Sequence, residues 1–216
     1  VRSRGLGDVY KRQPGHSSTG VRQDQHISAG VAGGRCGEIA IVHFVNYKKG
    51  TQTRGCMKSV MRYVSQTSKT LWDGQQLVSG IGCQPETAFD EFLSTKLLHR
   101  KDGGVMFYHM VQSFPKCADI DPCAAHEAAR RLAGYFEGCE VLVCTHTDRE
   151  HIHSHCIINS VNFETGRKVH MADEQIQELR VRNDQICEEL GLPKFQRDEH
   201  RQSRGMSNAE YYTASK

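Results

Sequence analysis

Apolar and polar positions along this chain follow two alternating periods, and the places where one gives way to the other mark the elements. "EIAIVHFVN", Glu38 to Asn46, is rich in β-branched and aromatic residues and reads as a strand. Met57, Val60, Met61 and Val64 then fall at i, i+3, i+4 and i+7, the single apolar stripe of a helix. Tyr63 lies on the flank of that stripe, roughly 100° from its centre, so its phenol is expected to be exposed. Pro85 opens a second predicted helix, in which Phe89, Phe92, Leu93 and Leu97 repeat at helical spacing until Gly103-Gly104 stops it. "VMFYHMVQSF", Val105 to Phe114, is the next strand. Asp121 is the predicted N-cap, with Pro122 behind it, of a third helix striped by Ala125, Ala128, Ala129, Leu132 and Phe136. "CEVLVCTH" and "HIHSHCIINSV" read as two strands around a short loop, Thr147 to Glu150. A last helix carries Ile176, Leu179, Ile186 and Leu190 and ends at Gly191 and Pro193.

A strand-loop-strand step makes an antiparallel hairpin, so this order predicts an α+β fold with a mostly antiparallel central sheet flanked by helices. The predicted domain spans residues 37–192. Residues 1–36, rich in Gly, Arg and Ser without apolar periodicity, are expected to be a disordered, non-native leader. Their first thirteen residues, with no starting Met, resemble a read-through artefact. Residues 193–216 read as a polar C-terminal segment, truncated from something longer.

With 216 residues and 38% hydrophobic content, the chain suffices for one compact domain and so for one site. A formal net charge of +3 does not demand a polyanion-coating role, although Arg130-Arg131 and the stretch from Arg197 to Arg204 permit nucleic acid. No apolar run approaches the roughly 20 residues of a membrane helix, and no signal-peptide core is visible, so no membrane insertion is expected and the protein reads as intracellular. Nine cysteines without a C-x-x-C pair argue against both a disulfide framework and a zinc ribbon. Cys117, Cys123 and His126 form a poor ligand set, because the Asp-Ile-Asp-Pro among them is helix-entry chemistry.

The chemistry concentrates in "THTDREHIHSHCIINSVN", Thr145 to Asn162, which holds four of the twelve histidines. In a strand from His151 onward, alternation puts His151, His153, His155, Ile157 and Asn159 on one face. A simple register brings His146 opposite His151 and diagonal to His153. Three neutral imidazoles with one side open suit a catalytic transition-metal site that admits substrate oxygens. Asp148 in the loop is placed to orient one histidine through its second nitrogen, or to raise the basicity of a neighbour. The competing reading is a solvated polar hairpin whose histidines have no role, which four imidazoles on one face within an otherwise apolar run disfavour.

These residues carry a resemblance. "HTDREHIHSHCIIN" resembles the third motif, H-x-D-x-x-H-x-H-x-H-x-x-x-N, of conjugative relaxases of the MobA/VirD2 type, a branch of the HUH endonucleases. "MRYVSQTSKT", Met61 to Thr70, resembles their tyrosine motif, and "FYHMVQSF", Phe107 to Phe114, their middle strand with its His and Ser. The three stretches occur in the family's order, and the similarity runs from about Ile39 to Leu190. The resemblance implies that His146, His153 and His155 hold a divalent metal, Mn2+ or Mg2+, and that His151 is the dispensable fourth. Tyr63 falls on the nucleophile and Asp148 on the motif's acidic, catalytic position. The implied reaction cuts one DNA strand at a transfer origin, leaving a 5′-phosphotyrosine and a free 3′-hydroxyl. Implied partners are single-stranded or supercoiled origin DNA and an accessory mobilization protein, in the bacterial cytoplasm. The chain departs from the family pattern at both ends, which bears on DNA affinity more than on chemistry.

Supporting roles follow from position. Arg62 and Lys69 are candidate phosphate contacts, Trp72 a base-stacking candidate and Ser113 a DNA contact. His109 either bonds within the site or is a satisfied core histidine, and Asn159 continues the ligand face as a support for its network. Tyr47 is the alternative, less favoured nucleophile. A rolling-circle replication initiator is a competing reading, but relatives of that kind place the tyrosine after the histidines, where only Tyr211 and Tyr212 occur here. A truncated origin-binding module would keep binding in a Tyr63→Phe variant, and a small-molecule hydrolase would keep its activity.

Overall fold

The computed structural model describes residues 40–48, 50–115, 119–149 and 151–192. The expected leader, the expected C-terminal segment, Cys117, Tyr211 and Tyr212 lie outside these residues. In chain order the elements are β1 (Ile41–Phe44), α1 (Arg54–Val64), α2 (Thr67–Thr70), β2 (Leu71–Trp72), β3 (Gln75–Gln76), β4 (Val78–Ile81) and α3 (Ala88–Leu98). After them come β5 (Phe107–Ser113), α4 (Pro122–Ala133), β6 (Val141–His146), β7 (His153–Asn159) and α5 (Asp173–Glu189).

Five strands form one sheet in the order β1-β5-β7-β6-β4, and every neighbouring pair is antiparallel. The fold is thus α+β with helices on both sheet faces, as the sequence predicts. Strand β7 sits in the middle and is buried along its whole length. One face presents Val42, Met110, Val141, Val143, Cys156 and Ile158 to Ala125, Ala128, Ala129 and Leu132 of α4 and to Leu179, Ile186 and Cys187 of α5. The opposite face presents Phe107, Leu142, Cys144 and Ile157 to the Met57, Val60, Met61 and Val64 stripe of α1 and to Ala88 and Phe92 of α3. Burying side chains of this size contributes about 1.5–3 kcal/mol each, so the two layers fix which strand residues face which helix.

Helix α4 starts where its cap dictates: the Asp121 carboxylate accepts from the Cys123 and Ala124 amides at 3.2 and 3.1 Å. Helix α3 starts at Ala88, three residues after Pro85, which lies in the preceding turn. Edge strand β4 and the β2–β3 hairpin were not expected. "VSGI" is short and carries Ser and Gly, and its strand character comes from pairing with Val141–Cys144 of β6. Between β2 and β3, Asp73 and Gly74 both have positive φ, 45° and 75°, as a two-residue hairpin turn requires. Among the described residues no helix is long and apolar enough to cross a membrane.

The far end of β7 holds a buried polar network instead of a continuation of the histidine face. Lys96 of α3 is fully buried, and its ammonium donates to Asn159 Oδ1 and, at 3.0 Å, to Ser160 Oγ. Asn159 donates to Glu140 Oε2 at 2.9 Å and to the Phe92 carbonyl at 3.2 Å, and Thr95 donates to the other Glu140 oxygen. Asn159 therefore ties α3 to the sheet and does not support the histidines, which corrects its expected role. It keeps the right parity, but it lies four residues beyond His155, roughly 13 Å along an extended strand. Burial, reinforced by Lys168 and opposed by Glu140, pushes the Lys96 pKa down to about 8.

Two stability predictions follow. Lys96→Ala takes the donor from Asn159 Oδ1 and Ser160 Oγ and the nearby cation from buried Glu140, and is expected to cost about 1–3 kcal/mol in urea unfolding, while Lys96→Met combined with Glu140→Leu costs less than the sum of the single changes. Strict additivity would show that the two groups are not coupled. On the other sheet face His126 of α4 bonds Ser79 Oγ at 2.8 Å and Thr145 Oγ1 at 2.9 Å. Burial and Arg130 push its pKa down to about 4, against a weaker pull from Glu127. Since the folded value lies below the unfolded one, near 6.5, the unfolded chain takes up the proton first. Stability is expected to fall as pH drops from about 6.5 towards 4, and His126→Gln should flatten that part of the acid arm; an unchanged slope would place the titration elsewhere.

Candidate metal centre and tyrosine site

The histidines converge because β6 ends at His146 and β7 begins at His153, and these two residues are directly paired. His155, two positions on, pairs with Cys144 and so lies diagonal to His146 on the same face. The ring centroids of His146, His153 and His155 are 4.5 to 5.1 Å apart. One nitrogen from each lies within 4.8 Å of the others, and all three residues are buried. This register differs from the expected one by two residues. His151 belongs to the connection, not the strand; it stacks on His153 at 5.1 Å and is only half-buried. A connection running from Thr147 to Ile152 is what moves His146 from His151 to His153.

Hydrogen bonds at the outer nitrogens decide which inner nitrogen carries a lone pair. A carbonyl only accepts, so His146 Nε2 donates to the Val64 carbonyl at 2.9 Å and its lone pair is on Nδ1. Val64 is the last residue of α1, where helix carbonyls lack intrahelical donors. By the same rule His153 Nδ1 donates to the His151 carbonyl at 3.2 Å, and its lone pair is on Nε2. His155 Nδ1 lies 2.8 Å from His109 Nε2, while His155 Nε2 is buried with no hydrogen-bond partner among the described residues. A buried polar nitrogen in that state is costly, and a cation shared with its two neighbours relieves it. Burial, with His109, His146, His153 and His43 around it, holds the His155 pKa well below the ordinary value, so the ring is neutral as a ligand must be. Cys144 pairs with His155, but burial drives its thiol pKa far up and keeps it out of the donor set. Three buried imidazoles converging on one side of a cluster fit a divalent metal ion.

Tyr63 borders this cluster. Its ring meets His146 edge-on at 6.0 Å, and the Lys69 ammonium lies 4.7 Å from its centroid. The tyrosine is half-buried, not exposed as helix periodicity alone suggests, because Lys69 of α2 lies over one side of its ring and His146 meets it edge-on. Lys69 donates to Asp148 Oδ2 at 3.1 Å and is 13% exposed. Burial works against its charge, yet the contacts with Asp148 and Tyr63 outweigh it and hold the ammonium pKa above the ordinary value. Burial likewise opposes the Asp148 carboxylate, and Lys69 and His146 outweigh it to bring its pKa down. Of the two roles expected of Asp148, its hydrogen bond goes to Lys69, a neighbouring group whose pKa it raises, and not to a histidine, while the Lys69 ammonium faces Tyr63 and Asp148. Thr147 locks the arrangement, its amide donating to the Lys69 carbonyl at 2.7 Å and its hydroxyl to the Leu71 carbonyl at 3.2 Å.

The remaining residues sort by distance from this centre. His109 joins it directly through His155, and Tyr47 bonds the far side of His109 at 2.9 Å. Tyr47 is thus one imidazole removed from the cluster, whereas Tyr63 touches it. Ser113 pairs with His153 across β5 and β7, beside the cluster. Arg62 is exposed on α1, and Trp72 is 43% exposed on the β2–β3 hairpin. His43, which the sequence reading passed over, shares a row with Val111 and His155 from edge strand β1. Its only sequence signal is its parity within "IVHF".

The family model described as "Relaxase: MobA/VirD2-like, nuclease domain" matches residues 63–192. Protein rlx of Staphylococcus aureus is 40% identical over 115 residues, covering 53% of this chain and 36% of that protein. A second Staphylococcus aureus protein rlx is 31% identical over 167 residues, covering 77% of this chain and 49% of that one. The chain therefore spans less than half the length of these relatives. A solved structure from work on the molecular basis of vancomycin resistance transfer in Staphylococcus aureus superposes with a TM-score of 0.50 at 16% identity. It covers 71% of this chain and 95% of its own, which supports the fold. With the matched model spanning the tyrosine, the histidine hairpin and everything between, the chain belongs to the MobA/VirD2-like relaxase nuclease-domain family.

Proposed function

We propose that this chain nicks one strand of DNA at a transfer origin with Tyr63 as nucleophile, forming a 5′-phosphotyrosyl intermediate during conjugative mobilization. The observation that carries this reading is the Tyr63 ring packed against His146, at the rim of a cluster of three buried imidazoles. In the proposed step the Tyr63 oxygen bonds to phosphorus as the bond from phosphorus to the 3′ oxygen breaks. The phenol proton is lost and the departing oxygen takes one up, leaving a free 3′-hydroxyl. A divalent metal, Mn2+ or Mg2+, held by His146, His153 and His155, supplies charge withdrawal from the phosphate oxygens when bound.

The chain's own groups suit both directions of such a transfer. Lys69 sits over the Tyr63 ring as a fixed cation, positioned by Asp148, and opposes charge on the phenol oxygen when tyrosine is the leaving group. A phenolate leaves more readily than an alkoxide, so the strand joined to Tyr63 keeps the capacity to reseal. Arg62 and Ser113 flank the site as candidate backbone contacts. Trp72 and Leu71 form an exposed apolar tip tied by Thr147 to the loop after His146, which suits stacking on an unpaired base. The proposed partners are origin DNA, single-stranded or supercoiled, and an accessory mobilization protein, in the bacterial cytoplasm.

The decisive test is covalent trapping on a randomised single-stranded DNA pool with Mn2+. Wild type is expected to give an SDS-stable adduct that maps to Tyr63 by mass spectrometry and disappears with EDTA, and Tyr63→Phe to give none. An adduct that persists in Tyr63→Phe moves the nucleophile elsewhere, and cleavage without any adduct points to water. Because Trp72 is the chain's single tryptophan, its fluorescence should be quenched on binding single-stranded DNA. Trp72→Ala should weaken that binding by about 1–3 kcal/mol. Fluorescence indifferent to DNA would remove the hairpin from the binding surface.

A further inference from the structure

Tyr47, His109 and His155 form one hydrogen-bonded line. The Tyr47 hydroxyl lies 2.9 Å from His109 Nδ1, and His109 Nε2 lies 2.8 Å from His155 Nδ1. The geometry is set by backbone: His109 pairs with Ile157 across β5 and β7, which puts it diagonal to His155 with ring centroids 5.0 Å apart. Tyr47, in the segment after β1, is steadied by an edge-on contact with Phe107 at 5.1 Å. His109 itself is buried.

A neutral imidazole has one N–H and one bare nitrogen, so this line has two self-consistent settings. In the first, His155 Nδ1–H donates to His109 Nε2, His109 Nδ1–H donates to the Tyr47 oxygen, and His155 Nε2 presents a lone pair to the cluster. In the second, Tyr47 donates to His109 Nδ1, His109 Nε2–H donates to His155 Nδ1, and the proton on His155 Nε2 blocks coordination. His155 Nε2 has no hydrogen-bond partner among the described residues, so the second setting buries an unsatisfied donor. Without His109, the first setting would instead leave His155 Nδ1–H unsatisfied in the sheet interior.

We propose that Tyr47 and His109 are positioning residues that hold His155 in its metal-binding tautomer and so set the divalent-cation affinity of the His146, His153 and His155 cluster. This rests on the metal reading of the site. Unlike that reading, it assigns a role to two residues outside the ligand set, one of them in the segment after β1.

The test is Mn2+ binding to the full chain by calorimetry, with Co2+ visible absorption as a report on the ligand field and urea unfolding of the metal-free protein as a control. Tyr47→Phe, which removes only a hydroxyl, should raise the Mn2+ Kd about 2- to 10-fold, with metal-free stability near that of wild type. His109→Leu should raise it about 10- to 100-fold and alter the Co2+ spectrum. His109→Gln, whose amide can accept from His155 Nδ1–H, should recover part of the loss. The double variant Tyr47→Phe with His109→Leu should bind no more weakly than His109→Leu alone, since Tyr47 acts through His109. Wild-type affinity and spectrum in Tyr47→Phe and His109→Leu would overturn the proposal while leaving the metal reading intact, as would independent, additive effects of the two changes. Failure of wild type to bind either ion would overturn the metal reading itself, and this proposal with it.

Discussion

The antiparallel pairing of β6 with β7 is the constraint on which the site depends. Because side chains alternate, a slip of one residue would turn His153 and His155 towards α4 and α5 and send Ser154 and Cys156 to the tyrosine side. That slip is resisted along the whole strand by Cys156 and Ile158, which are packed into the α4 and α5 layer, and by Ile157, which lies under α1. The apolar middle of β7 therefore sets the position of the imidazoles at its start. Packing energy and site geometry come from the same residues.

Each imidazole of the cluster is held by a different part of the fold through the nitrogen that faces away from the centre. The end of α1 supplies the Val64 carbonyl to His146, the β6–β7 connection supplies the His151 carbonyl to His153, and β5 supplies His109 to His155. Those bonds fix the orientation of three buried rings from three separate parts of the fold. The Val64 bond also links the tyrosine helix to the cluster: Tyr63 precedes the residue whose carbonyl fixes His146. A displacement of α1 would disturb the nucleophile candidate and a ligand candidate together.

Strand β7 carries polar chemistry at both ends and hydrophobic packing between them. At one end the cluster keeps His155 Nε2 buried with no hydrogen-bond partner among the described residues, whereas at the other Lys96, Asn159, Glu140, Thr95 and Ser160 satisfy one another. A fully satisfied network holds α3 in place, and an open donor set has capacity left for something else.

Much of this could be read from the sequence because it depends on local period. The stripe Met57, Val60, Met61 and Val64, the Asp121-Pro122 cap and the alternation of His153, His155 and Ile157 each fix a face without reference to the rest of the chain. The three motifs in order, from Tyr63 to the histidine hairpin, were enough to suggest the family, and the ligand trio among four histidines came from that resemblance. Tertiary structure alone decided the rest. Which histidine faces His146 depends on how many residues the connection takes before β7 pairs, a length that alternation does not encode. Whether Tyr63 is exposed depends on α2 folding back with Lys69, whether Asp148 serves a histidine or a lysine depends on what α2 brings near, and Tyr47 meets His109 from 62 positions away. A sequence specifies which face a side chain takes because that follows from backbone geometry within a few residues. Which partner it meets there depends on packing between segments far apart in the chain, and only the folded structure sets that.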